Sequence, residues 1–241
     1  MPMKPRGKPA YRPKDRGSRP YKDRPHKESG YTPPVMPSEP PEGVVRIYGV
    51  HPVEAALANP ARRVRKLYAT DNAARRIADA LASRGLTPDP VSPRDLDRIL
   101  GADTVHQGLL LETEPLDEPD LDTLAEAAVA GGPIVILDQV TDPHNAGAIL
   151  RSAAVFGASG VVMTRRHSPP LTGTLAKSAS GALELIPIAL VQNLARAMAD
   201  LKSKGVRVVG LDGEAESLVD EERFTGPTAI VLGAEGKGLR Q

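Results

Sequence analysis

Aliphatic residues are almost absent before Val44, and from there they arrive in short blocks separated by turn residues. Residues 44–48 and 64–70 read as strands, and Leu109-Leu110-Leu111 as a third after Gln107-Gly108. Between them, 52–57 reads as a short helix closed by Asn59-Pro60. Residues 73–84 set Ile77 and Leu81 four apart ahead of Gly85, the spacing of an amphipathic helix with a glycine stop, and 95–100 adds another helix. A second series follows. Strands are expected at 134–137, 160–164, 206–211 and 228–232, with a short strand-like run at 185–190. Helices are expected at 145–156, with Asn145 as its N-cap, and at 171–180 and 193–204. Buried strands alternating with helices predict an α/β fold whose parallel sheet is covered on both faces.

This pattern divides the chain into four parts. Residues 1–43 form a Pro-rich basic arm expected to be disordered, and 44–114 a small α/β domain. Residues 115–132 are an acidic linker with one helical piece at 121–130, and 133–241 form the parallel-sheet domain. The 241 residues contain no cysteine, which excludes disulfides and thiolate metal sites and suggests a reducing compartment. Five histidines lack the spacing of a helical metal site. No apolar run approaches the roughly 18–20 residues of a membrane helix, and no signal-peptide h-region opens the chain. A cytoplasmic protein without metal or membrane partner is expected.

Charge sharpens the picture. The net +1 conceals ten Lys/Arg against three acidic residues in 1–30, a local balance of +7 on a body of −6. Arg12, Arg16, Arg19, Lys22 and Arg24, interleaved with Tyr11, Tyr21 and Tyr31, suit phosphate neutralisation and base stacking on RNA. A solubilising tail is the alternative.

In open parallel sheets ligands bind beyond the carboxyl ends of the strands, and two such ends carry candidate chemistry. In "DPHNAGAILR" an arginine, Arg151, sits in an otherwise apolar helix two turns from its start; it is either a phosphate ligand or a solvated surface residue. In "LGAEGKG" the glycines run G-x-x-G-x-G, which is neither a Walker A loop nor a dinucleotide fingerprint. Three glycines expose backbone groups to a planar ligand or nucleotide, and Glu235 can hold an amine or a ribose hydroxyl; a mobile glycine tail is the alternative.

Five segments together resemble the SpoU (TrmH) family of RNA ribose 2′-O-methyltransferases. "IYGVHPVEAAL" and "VHQGLLLE" are similar to the ends of its small, ribosomal-protein-like RNA-binding domain. "DQVTDPHNAGAILRSAAVFGASGVV", "KSASGALELIPI" and "IVLGAEGKGLR" are similar to its first motif, middle segment and second motif. The order and spacing match from about Val44 to Arg240, closest to the branch acting on a guanosine ribose of 23S ribosomal RNA. The resemblance implies a SPOUT domain of trefoil-knot type, S-adenosylmethionine as cofactor, and a homodimer whose sites draw on both subunits.

Carried over by position, the resemblance implies catalytic roles for Arg151, Asn145 and Glu235, and cofactor contacts by Leu232, Gly233, Ala234, Gly236 and Gly238. Lys177 and Ser178 are implied to face RNA, and Gly181 and Glu184 to be structural or RNA-facing. A guanidinium is a poor base, so Arg151 is expected to clamp a phosphate and stabilise the developing oxyanion, with Asn145 orienting Arg151 or the ribose. The family's third motif is missing, so residues 1–241 are expected to be a fragment that binds cofactor weakly. The competing functions are a tRNA ribose methyltransferase and a non-catalytic RNA-binding protein.

Overall fold

A computed structural model describes residues 38–221, 223–236, 238 and 239. Residues 1–37 of the basic arm, with all of its arginines, lysines and tyrosines, lie outside the described residues.

The first sheet is built from β1 (Val45–Tyr48), β2 (Val64–Ala69), the two-residue β3 (Asp89–Pro90) and β4 (Leu109–Thr113), in the order β1-β4-β2-β3. β4 is central and antiparallel to both β1 and β2, while β3 lies parallel to β2. Alternation along the strands sorts side chains to two faces. Ile47, Leu67, Ala69, Leu109 and Leu111 face α1 (Val50–Ala58), α2 (Asp71–Arg76) and α3 (Ala78–Arg84), whereas Tyr68 and Leu110 pack with Val91 and Leu96 beneath α4 (Pro93–Leu100). α4 starts on a capping box: Ser92 accepts from the Asp95 N–H, Asp95 accepts from the Ser92 N–H, and Pro93 fills the first helical position.

One expected helix is two. The 73–84 segment starts earlier, on the Thr70 N-cap, and bends at Ile77, where ψ is 22°. The i→i−4 bonds Ile77 N–H to Ala73 and Leu81 N–H to Ile77 continue across the bend. Ile77 is thereby buried to 1 % exposure and Leu81 to 9 %.

The second sheet is entirely parallel. β5 (Ile134–Leu137), β6 (Gly160–Thr164), β7 (Ile188–Val191), β8 (Arg207–Leu211) and β9 (Thr228–Leu232) stand in the order β7-β6-β5-β9-β8. Both faces are covered over β5 and β6, as continuous apolar strands require, whereas the edge strand β8 stays exposed at Arg207, Gly210 and Leu211. Ile134, Ile136, Val162, Ala229 and Val231 pack under α5 (Leu121–Ala130) and α8 (Leu194–Ser203). Val135, Leu137, Val161 and Met163 pack under α6 (Pro143–Val155) and α7 (Gly173–Ala179), which a short 3-10 turn (Ala182–Glu184) follows.

Three corrections concern this half. The helix expected inside an acidic linker is a core element, because Leu124, Ala125 and Ala128 of α5 are buried against the sheet. α6 begins at Pro143 with Asp142 as its N-cap, whose carboxylate accepts from the His144 N–H at 2.8 Å. Pro143 lacks an N–H and suits the first helical position, so the cap falls on the residue before it and Asn145 lies inside the first turn. The strand-like run at 185–190 is instead β7 at Ile188–Val191, because the Leu185 and Ile186 N–H groups bond back to the Ala182 carbonyl and Pro187 has none.

The two lobes share one core. Val53, Leu57, Leu109 and Leu111 of the first belong to the same buried cluster as Leu150, Leu175, Ala176 and Ala179 of the second. No helix among the described residues is long and apolar enough to cross a membrane.

Candidate active site

α6 places its functional side chains by helical geometry. His144, Gly147 and Arg151 recur at i, i+3 and i+7 and share the face turned to α7; Asn145 is rotated by about 100° from His144. Gly147 allows the helices to touch: a Cβ there would lie 2.6 Å from Ser178 Cβ and 2.7 Å from the Ser178 carbonyl carbon. With α7 this close, Arg151 donates from Nη1 to the Ser178 carbonyl, and His144 Nδ1 lies 3.3 Å from Ser178 Oγ. Arg151 is otherwise exposed, with donors left for a ligand.

Asn145 points the other way. Its Nδ2 donates to Glu235 Oε2 at 3.0 Å, joining the start of α6 to the loop after β9 across 90 residues of sequence. Of the two roles expected for Asn145, orienting Arg151 or the ribose, the first has no direct bond behind it, since the partners are Glu235 for Asn145 and Ser178 for Arg151. That loop folds on itself: the Gly238 N–H donates to the Ala234 carbonyl at 3.1 Å, and the two residues form an antiparallel bridge. Gly236 and Gly238 have φ of 75° and 64°, in the left-handed region, and any Cβ on Gly233 would collide with the Gly238 backbone. Glycine is therefore required by the loop's own closure.

A cavity of about 730 Å³ opens at the carboxyl ends of the strands, lined among others by Gln139, His167, Asn193, Met198, Val231 and Leu239. Of the residues assigned to the cofactor, Leu232, Gly233, Ala234, Gly236 and Gly238, none lines it; the loop meets it through its flanks, Val231 and Leu239. Gln139, His167 and Asn193 escaped the sequence reading. The signal was present, since each stands within three residues of the end of a strand-like run, where parallel sheets bind ligands. Gln139 and His167 both adopt left-handed backbone, with φ of 59° and 67°.

Lys177 and Ser178, assigned to RNA, are half-buried. Lys177 Nζ donates to Gln107 Oε1 of the first lobe at 2.6 Å, and burial pulls its ammonium below the usual lysine range. Glu184 is buried at the lobe boundary. Among the described residues no group of three His, Asp or Glu is placed to hold a metal ion.

Residues 132–241 match the family described as "SpoU rRNA Methylase family", and residues 46–119 match "RNA 2′-O ribose methyltransferase substrate binding". A protein of Pseudomonas putida named 23S rRNA (guanosine-2′-O-)-methyltransferase RlmB is 38 % identical over 203 residues, covering 81 % of this chain and 81 % of its own. Its namesake from Photobacterium profundum is 40 % identical, covering 81 % and 82 %. Among solved structures, the SpoU methyltransferase AviRb from Streptomyces viridochromogenes, determined with AdoMet, shares the fold at a TM-score of 0.68 and 23 % identity, over 83 % of this chain and 76 % of that one. A putative RNA methyltransferase of the TrmH family from Porphyromonas gingivalis superposes at 0.62 with 26 % identity, over 83 % and 75 %. The match of both lobes, in order, with relatives covered over four-fifths of their length, settles the classification: the chain belongs to the SpoU rRNA methylase family.

Proposed function

We propose that this protein methylates the ribose 2′-hydroxyl of a guanosine in 23S ribosomal RNA, with S-adenosylmethionine as donor. The observation that carries the reading is the Asn145–Glu235 bond, which closes the helix of one family motif onto the glycine loop of another beside the strand-end cavity. The residues there fit the cofactor. The cavity lies within the roughly 300–1,000 Å³ typical of small-molecule sites. It combines apolar walls (Leu194, Met198, Val231) for an adenine with amide side chains (Gln139, Gln192, Asn193) for its polar groups. Bound there, the cofactor supplies an electrophilic methyl on a sulfonium.

The protein's own residues have to align the ribose and manage charge. A guanidinium offers hydrogen-bond donors and no acceptor, so Arg151 acts as a clamp on the phosphate beside the target and as a stabiliser of the oxyanion growing on the 2′-oxygen. Glu235, held by Asn145, would accept the hydrogen bond of the 2′-hydroxyl and take the proton that this oxygen gives up. The reading includes a homodimer, measurable by analytical ultracentrifugation, with each site drawing on both subunits.

The test is methyl transfer from labelled cofactor to unmodified 23S ribosomal RNA and to transfer RNA, with the modified nucleotide mapped. Label on a guanosine ribose of the ribosomal RNA is expected. Label confined to transfer RNA moves the substrate, and cofactor-independent RNA binding with no label removes the enzyme reading.

A further inference from the structure

The stretch formed by α7 and the 3-10 turn, residues 173–184, is the floor on which the first lobe stands. Tyr48 Oη lies 3.1 Å from Thr174 Oγ1 at one end of it, and Gln107 receives Lys177 in the middle. Gly181 lets Ala55 approach, since a Cβ at Gly181 would lie 2.8 Å from that of Ala55. At the far end stands a buried ion pair. Arg62 donates from Nη2 to Glu184 Oε1 at 2.6 Å and from Nε to Oε2 at 3.0 Å, and Asn59 Nδ2 adds a third bond to Oε2 at 2.9 Å. The remaining guanidinium nitrogen donates to the Glu114 carbonyl at 3.0 Å, where the chain leaves the first lobe. The Arg62 and Glu184 side chains are 5 % and 2 % exposed.

Apolar packing already joins the lobes, so affinity between them does not require this pair. A desolvated ion pair is generally no more stabilising than well-packed apolar residues of the same volume. What it adds is geometry, because a two-pronged guanidinium–carboxylate contact tolerates only one relative placement. The opposite side of the same platform carries the Ser178 carbonyl, on which Arg151 rests, and the Gly147 contact that fixes α6.

We propose that Arg62 and Glu184 are positioning residues, a bidentate lock that registers the RNA-binding lobe on α7 and so delivers the target ribose to Arg151 and Glu235. The inference rests on the methyltransferase reading for its output, but its geometric content does not. The middle segment is then a transmitter between lobes rather than an RNA contact, which explains why Lys177 faces Gln107.

The test is the paired replacement Arg62→Met with Glu184→Leu in the full chain, beside Glu184→Asp, which keeps the charge and shortens the reach. The apolar pair is expected to melt no lower than the unsubstituted protein and to bind cofactor within twofold. Its kcat on unmodified 23S ribosomal RNA should fall at least tenfold, with KM changed less than threefold. Glu184→Asp should retain more of kcat than the apolar pair. Hydrogen exchange at α1 and α7 reads registration without substrate, and both should lose protection in the apolar pair while β4 and β5 keep theirs. Unchanged kcat in a stably folded apolar pair overturns the proposal, as does unchanged exchange at α1 and α7. If the apolar pair fails to fold, Glu184→Asp at full kcat with unchanged exchange overturns it. Absence of methyl transfer by the unsubstituted chain counts against the proposed reaction instead, and the exchange measurement then decides the lock alone.

Discussion

The seam between the lobes and the cleft at the strand ends use similar polar residues to opposite ends. At the seam, Arg62 and Asn59 are directed at Glu184, and the Arg62 and Glu184 side chains are closed off from water. In the cleft, Arg151 uses one nitrogen on Ser178 and stays exposed, and Glu235 is held by Asn145 through one of its two oxygens. Arginines with satisfied forks fix structure, whereas arginines with donors to spare bind ligands. The two guanidiniums of this chain thus differ in what surrounds them: Arg62 is enclosed by its partners, and Arg151 keeps donors exposed.

The contrast can be broken most severely at the seam. Arg62→Ala leaves the Glu184 carboxylate buried without its countercharge and should cost about 3–5 kcal/mol of stability, read as a fall in the urea midpoint. Arg151→Ala should leave that midpoint in place while lowering kcat by about 10²–10³, with cofactor affinity unchanged in calorimetry. A large loss of cofactor affinity would move Arg151 from ribose clamp to cofactor ligand. Gly147→Ala lies between the two classes. Its Cβ cannot fit against the Ser178 backbone, so α6 must lift, at about 1–3 kcal/mol in thermal unfolding and with a parallel loss of kcat. Asn145→Ala should reduce kcat about tenfold by releasing Glu235, with stability within about 0.5 kcal/mol. The smallest effect concerns neither region. Removing residues 1–43 should weaken RNA binding and flatten the slope of log affinity against log salt, in proportion to the phosphates the arm neutralises. An unchanged slope assigns the arm no phosphate contact.

Much of the second sheet was legible in the chain because a fully covered parallel strand is a short, unbroken apolar run. Ile134–Leu137, Gly160–Thr164 and Thr228–Leu232 are of that kind, and their expected and observed limits agree. Helix starts were less legible where two capping residues compete within one turn, as Asp142 and Asn145 do. The site was legible as segments and illegible as contacts. Nothing in "DPHNAGAILR" announces that Asn145 reaches the glycine loop while Arg151 turns to α7, since that depends on how far α6 rotates as Gly147 seats against Ser178. The Arg62–Glu184 pair was least accessible of all. Its partners stand 122 residues apart, and each alone looks like an ordinary surface charge.

The place of β9 bears on how the protein is made. Among the described residues it is the last strand in sequence, yet it lies inside the sheet, pairing Ile134 with Ala229 on one side and Arg207 with Thr228 on the other. Until it emerges from the ribosome, β5 lacks a neighbour and β8 has no partner at all. Parallel pairings between such distant segments form slowly, and the waiting edges are open to other chains. Synthesis therefore passes through a stage in which most of the core is present but the sheet is in two pieces. The loop that holds Glu235 follows immediately after β9, so the Asn145–Glu235 contact forms in the same late step that removes the aggregation hazard.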